Sequence, residues 1–164
     1  MINNVAMDKK SKIYVVLDNV RSIHNVGSIF RTADCAGVSK IYICGVTPSP
    51  IDRFGRKRPA FHKVALGAED FVPCEYYKDT TRAISALKKN GVEVVAVEQA
   101  DHSIDYRDLK ITKDTAFIFG AEVEGVSVEV LKTCDKIIGI PMKGGKESLN
   151  VSVTVGIILF NAGA

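Results

Sequence analysis

The chain has 164 residues, 46% hydrophobic and 25% charged, with a formal net charge of +3. That length suits one domain with a single core, and the composition excludes disordered and fibrous classes. The charge is too small to mark a nucleic-acid binder by itself, so the distribution of cations must decide.

Met1 to Lys12 carries Asp8, Lys9, Lys10 and Lys12 with no apolar core of a signal peptide, which predicts a flexible lead-in and a cytoplasmic protein. The longest apolar stretch, Val151 to Phe160, is roughly half the ~20 residues a membrane span needs, so no membrane partner is expected. Cys35, Cys44, Cys74 and Cys134 form no C-x-x-C pair, and His24, His62 and His102 have no partner at ligand spacing. The expectation is buried free thiols and no metal.

In chain order, Ile13 to Leu17, Lys40 to Cys44, Gly91 to Val97, Thr115 to Phe119 and Lys136 to Ile140 read as short buried strands. A helix spans Asn25 to Ala36, with Val26, Ile29, Phe30 and Ala33 at helical spacing and Gly37 as its stop. Asp79 caps a second helix that carries Ala83, Ile84 and Leu87 and ends at Asn90-Gly91. A third, short helix starts at Ser127. Val151 to Phe160 is ambiguous: alternating β-branched residues suit a strand, and apolar residues on all sides suit a buried helix. Strands interleaved with helices predict an α/β fold, a mostly parallel sheet with helices on both faces.

Three segments set polar or Gly residues against apolar runs. The first leaves a strand at Asp18-Asn19 and passes Arg21, Ser22 and His24 to Asn25, Gly27 and Arg31. Polar groups at the C-terminal ends of strands are where open α/β sheets place their sites. Asn25 read alone is a helix cap and Arg31 a surface cation, but core neighbours on both sides of Arg31 predict a partner for its head group. The second segment, Phe119-Gly120-Ala121-Glu122-Val123-Glu124-Gly125, turns abruptly and needs glycine for close approach or unusual dihedrals. The third joins Ile140-Pro141-Met142 through Lys143 to Glu147 to Ser148-Leu149-Asn150. Ser148 reads as an N-cap, and Asn150, an amide at the mouth of an apolar run, requires a designated partner. Neither G-x-G-x-x-G nor G-x-x-x-x-G-K-[ST] occurs, so ordinary dinucleotide and phosphate loops lack support. Arg53, Arg56, Lys57 and Arg58, interleaved with Phe54, suit phosphate contact and base stacking on a mobile loop.

These segments, as Asn25, Gly27, Arg31, Thr32 and Ala33, then Gly120 to Gly125, then Ile140 to Met142 with Ser148 to Ser152, resemble the three motifs of the SpoU (TrmH-type) family of RNA 2′-O-ribose methyltransferases, in the SPOUT class. The resemblance covers nearly the whole chain. It implies S-adenosyl-L-methionine as methyl donor, a homodimer, a C-terminal trefoil knot, and a helix at Val151 to Phe160. By family position, Gly120, Ile140, Met142 and Leu149 hold the cofactor, and Asn25, Arg31, Glu122, Ser148 and Asn150 form the reaction site. Ala121 stands where most relatives have Asn. No added RNA-binding domain is evident, so RNA contacts are expected on the dimer surface and on Arg53 to Arg58, with tRNA favoured over rRNA. The competing readings are an inactive RNA- or cofactor-binding module of the same fold, resting on Ala121, and an enzyme methylating a base nitrogen.

Overall fold

The computed structural model describes residues 11–163, so ten of the twelve residues of the expected N-terminal lead-in lie outside the described residues. Seven strands form one sheet: β1 (Ile13–Asp18), β2 (Lys40–Cys44), β3 (Cys74–Tyr77), β4 (Glu93–Val97), β5 (Ile104–Asp105), β6 (Thr115–Phe119) and β7 (Lys136–Gly139). Their order is β3-β2-β1-β6-β4-β7-β5, and all six pairings are parallel. The helices are α1 (Ile23–Ala36), α2 (Pro59–Ala65), α3 (Thr80–Lys89), α4 (Val128–Leu131) and α5 (Val151–Asn161).

Side-chain alternation divides the core between the two faces of the sheet. In β1, Ile13, Val15 and Leu17 join a cluster with α1, α2 and α5, whereas Val16 joins α3 and α4 on the other face. A strand covered on both sides cannot show the polar alternation of a half-exposed one, which is why these strands read as unbroken apolar runs. Helix α2 lies against α1 through a T-shaped Phe30–Phe61 pair with centroids 5.1 Å apart. Both rings are fully buried, so truncating either to Ala is expected to cost about 3–5 kcal/mol. Gly27 permits this crossing: a Cβ there would stand 3.1 Å from the Phe61 carbonyl oxygen and 3.1 Å from the Val64 Cβ.

The five expected strands are present to within two residues, as are the Gly37, Asp79 and Ser127 helix signals. Val151–Asn161 is a helix, because apolar surface all round lets it bury one side against α1 and the sheet. Several expectations fail. Helix α1 begins at Ile23 with Ser22 as its cap, placing Asn25 inside the first turn. The cap of α5 is Asn150, whose Oδ1 accepts the Ser152 N–H at 2.9 Å, and not Ser148. Cys44 is buried, but Cys35 and Cys74 are exposed, on the outward face of α1 and on edge strand β3. Burial pushes the Cys44 thiol up to about 12, so that residue packs as a small hydrophobe.

Candidate functional site

All strands are parallel, so the segments after β1, β6, β4 and β7 leave the same edge of the sheet, and these four strands are consecutive neighbours. Between the segments lies a cleft of ≈ 460 Å³. Gly120, Ile140, Met142 and Leu149 line it together with Glu122, Ser148 and Asn150. Asn25 reaches this group through hydrogen bonds. Arg31 is exposed on α1, and its side chain makes no hydrogen bond or ion pair among the described residues, so the partner expected for its head group is not found there. Ser148 is likewise exposed and forms no hydrogen bond there.

Three side chains tie the three segments together. Asn25 donates from Nδ2 to Glu122 Oε1 at 2.9 Å, and Asn150 donates from Nδ2 to Asn25 Oδ1 at 3.2 Å. The order of donors follows from charge. An ionised carboxylate only accepts, so Asn25 must turn its NH₂ to Glu122 and its oxygen to Asn150. Asn150 must then present its own NH₂, leaving its oxygen to cap α5. Glu122 also accepts the backbone N–H groups of Arg21 and Ser22, each at 3.0 Å. Desolvation raises its affinity for a proton, but the donors from Arg21, Asn25 and Ser22 prevail and hold its carboxyl below the usual glutamate value of 4.5.

The second segment closes as a tight hairpin in which Ala121 and Gly125 exchange backbone hydrogen bonds of 3.1 and 2.9 Å. A side chain on Gly120 would collide with the Gly125 backbone, and Gly125 adopts a φ of +69°. Ala121 is buried, and its contribution to this closure is through its main chain.

Two residues that carry no sequence motif support the cleft. Glu98, after β4, accepts the Val126 N–H with one oxygen and the Gln99 N–H with the other, both at 2.8 Å. Gln99 donates to the Ile140 carbonyl at 2.6 Å, joining the β4 and β7 ends. No sequence signal marks Glu98, because a Glu just after a strand is ordinarily solvated. Buried Asp18 acts similarly, accepting the Thr80 hydroxyl at 2.6 Å and the Ser127 N–H at 3.3 Å.

The charged residues lining the cleft are Glu98, Glu122 and Glu124. Glu124 is paired with Arg21 at 3.1 Å, which leaves Glu98 and Glu122 without a cationic partner among the described residues, and a pocket so lined disfavours phosphate and suits an organic cation. Apolar walls from Phe119, Ile140, Leu149 and Val151 offer a slot for a flat ring. These features fit S-adenosylmethionine, which carries both an adenine and positive charges. Among the described residues no group of His, Cys, Asp or Glu could hold a metal ion.

The Arg53 to Arg58 stretch, expected as a mobile loop, is a hydrogen-bonded hairpin. Ile51 bridges Lys57, and Asp52 Oδ1 accepts the Phe54 and Arg56 N–H groups at 2.8 and 3.0 Å. Its cations are not equivalent. Arg56 pairs with Asp52 at 2.8 Å and Lys57 with Asp70 at 2.7 Å, while Arg58 reaches the Ile51 carbonyl at 3.4 Å. Arg53 has no hydrogen-bonding or ionic partner among the described residues.

Residues 12–160 match the model of the SpoU rRNA Methylase family. The chain is 35% identical over 161 residues to the tRNA (guanosine(18)-2′-O)-methyltransferase of Thermus thermophilus, covering 98% of this chain and 79% of that protein. It is 36% identical over 162 residues to a 23S rRNA (guanosine-2′-O-)-methyltransferase of Vibrio parahaemolyticus, covering 98% of this chain and 62% of that protein. Among solved structures, an AdoMet-bound rRNA methyltransferase from Sinorhizobium meliloti superposes with a TM-score of 0.83 at 31% identity, covering 94% of this chain and 56% of that one.

Proposed function

The chain belongs to the SpoU methylase family, and on that premise we propose that it transfers the methyl group of S-adenosyl-L-methionine to a ribose 2′-hydroxyl in structured RNA. The observation that carries this reading is the Asn150–Asn25–Glu122 chain of hydrogen bonds, which ties all three motif segments together beside an acidic, apolar-walled cleft.

In this reading Gly120, Ile140, Met142 and Leu149 hold the cofactor, with Glu98 and Gln99 fixing the walls around it. When bound, the cofactor supplies an electrophilic methyl group on a positively charged sulfur. The chain's own task is to place the ribose and manage its proton. A guanidinium stays protonated throughout the working pH range and has no lone pair to accept a proton, so Arg31 acts as a cation. It holds the phosphate next to the target ribose and stabilises negative charge as the hydroxyl loses its proton to phosphate or water. Asn25, oriented by Glu122, and Asn150 position the ribose. Ser148, exposed at the cleft, is available to the substrate.

The same family reading carries a homodimer, a trefoil knot in the C-terminal segment, a cytoplasmic location, and RNA contacts from Arg53, Arg56, Lys57 and Arg58. Either tRNA or rRNA fits the relatives, and we favour tRNA.

The test is methyl incorporation from labelled S-adenosylmethionine into unmodified tRNA and rRNA, with Arg31→Ala alongside. A product whose adjacent phosphodiester resists alkali, lost in the variant, supports ribose methylation. An alkali-labile methylated product would indicate a base nitrogen, and cofactor binding without labelling of either RNA would indicate a binding module.

A further inference from the structure

The basic hairpin carries one feature that phosphate binding does not explain. Phe54 stands at its tip, 65% exposed, with the Arg53 Cζ 4.7 Å and the Arg56 Cζ 5.1 Å from its ring centroid. A surface loop that only gathered phosphates would need cations alone, and here two guanidinium groups gather at one exposed ring. The backbone around the ring is held in place: Gly55 turns the chain at φ +76°, and Asp52 accepts the N–H groups of Phe54 and Arg56. Asp52 also draws the Arg56 guanidinium into an ion pair, so its charge is largely neutralised while it stays beside the ring. The result is a flat aromatic surface flanked by a planar guanidinium and by the unpaired Arg53.

Its position follows from the sheet. The hairpin leaves the C-terminal end of β2, next to β1, whose own exit leads to Asn25. Thr47 anchors the departing segment to the Leu17 carbonyl at 3.2 Å. Beyond the hairpin, Phe61 packs on Phe30, the residue preceding Arg31. Along this edge the order is hairpin, Asn25 segment, second motif and cofactor cleft, so a strand of nucleic acid laid on the edge meets the hairpin on the side of Asn25 away from the cleft.

We infer that Phe54, backed by Arg53, stacks an unpaired base of the RNA at a nucleotide away from the methylated one. This rests on the proposed RNA-directed function and adds to it a recognition surface for a single-stranded or flipped nucleotide. Every base has a π-face, so the contact contributes affinity and register with little base preference. It also selects RNA in which a base lies free near the target ribose, as in loops, over continuous duplex.

The chain contains no Trp, so Phe54→Trp places a single fluorescent reporter at the tip. Titrated with unmodified bulk tRNA or rRNA, its emission should be quenched, whereas a fully paired RNA duplex should leave it unchanged. Phe54→Ala should raise the RNA Kd by roughly 5- to 100-fold while the Kd for S-adenosylmethionine stays at the wild-type value. Arg53→Ala should instead reduce the salt dependence of RNA binding by about one counterion. Unquenched Phe54→Trp together with wild-type RNA affinity in Phe54→Ala overturns the stacking role and leaves the methyltransferase reading intact. Failure of the wild-type chain to bind or methylate either RNA removes both.

Discussion

Asn150 and Asn25 are 125 residues apart in sequence, yet the Asn150 Nδ2 donates to the Asn25 Oδ1 at 3.2 Å while the other end of the same amide caps helix α5. One side chain therefore couples the start of the last helix to the first motif. The two duties can be separated. Asp caps a helix as well as Asn does, but it has no N–H to offer Asn25. Asn150→Asp should keep the helix cap, at a small cost in stability from the carboxylate facing the Asn25 oxygen, and lose roughly 10- to 100-fold in kcat/KM for RNA. Asn150→Ala should lose activity and also about 0.5–2 kcal/mol of stability. Wild-type turnover in Asn150→Asp would show that this hydrogen bond is structural ornament.

Glu122 anchors the other end of the chain, and its depressed carboxyl pKa gives a signed expectation. Burial opposes ionisation, but the Arg21, Asn25 and Ser22 donors outweigh it. The stabilisation is present above the unfolded value and is lost as pH falls through the lower folded value. The stability difference between wild type and Glu122→Gln, followed by denaturant unfolding, should therefore be constant near neutrality and shrink below the usual glutamate value of 4.5. A difference that grew on acidification would mean that the carboxylate is strained where it sits. In activity, Glu122→Gln should lose more than the single bond implies, because an amide no longer dictates which way Asn25 and Asn150 face.

How much of this was legible in the sequence depends on what each element buries. The five central strands announced themselves as apolar runs because both of their faces are covered. Strand β3 did not, since Cys74, Glu75 and Tyr76 are exposed on a sheet edge. Helix α2 is seven residues long with Phe61 and Ala65 as its buried positions, too short a period to register. Its presence nevertheless explains Gly27, a motif residue whose reason is steric and lies on another element. At the site, Asn25, Glu122 and Asn150 were visible as polar groups in apolar company. Glu98 was not, because a lone Glu after a strand looks the same whether solvated or holding two backbone N–H groups.

The glycines of the first and second motifs should fail in different ways. Gly27→Ala gains helix propensity of roughly 1 kcal/mol but presses a methyl against the Phe61 carbonyl and Val64 at 3.1 Å. The two effects oppose, so a net loss of about 0–2 kcal/mol is expected, with cofactor affinity retained. Gly120→Ala meets the Gly125 backbone, which cannot move without opening the hairpin. It should raise the Kd for S-adenosylmethionine by an order of magnitude or more, measured by calorimetry. Equal cofactor affinity in Gly120→Ala and wild type would mean that the hairpin does not shape the cleft.

Ala121 departs from the Asn that the family resemblance implies at this position, and the hairpin closes through its backbone alone. Catalysis should accordingly not require an amide there. The wild-type chain is expected to methylate RNA, and Ala121→Asn should not increase its kcat more than a few-fold. It must also place a polar group where the alanine is 8% exposed, which should lower stability by about 1–3 kcal/mol unless a partner is found. A large gain of activity in Ala121→Asn would instead identify this chain as a weakened enzyme.

Arg31 is exposed on α1 without an ionic partner among the described residues, and that isolation bears on its role. A guanidinium already engaged by a carboxylate would be neutralised before substrate arrived, and one left free keeps its charge and its donors for phosphate. Removing a positioned donor of this kind costs on the order of 10²–10³ in rate. Arg31→Ala should show that loss in kcat with cofactor affinity near wild type. Arg31→Lys keeps the charge but not the planar pair of donors, so it should recover RNA binding and little of the turnover. Near-normal turnover in Arg31→Lys would reduce Arg31 to electrostatic steering, and the orientation of the ribose would then fall to Asn25 and Asn150.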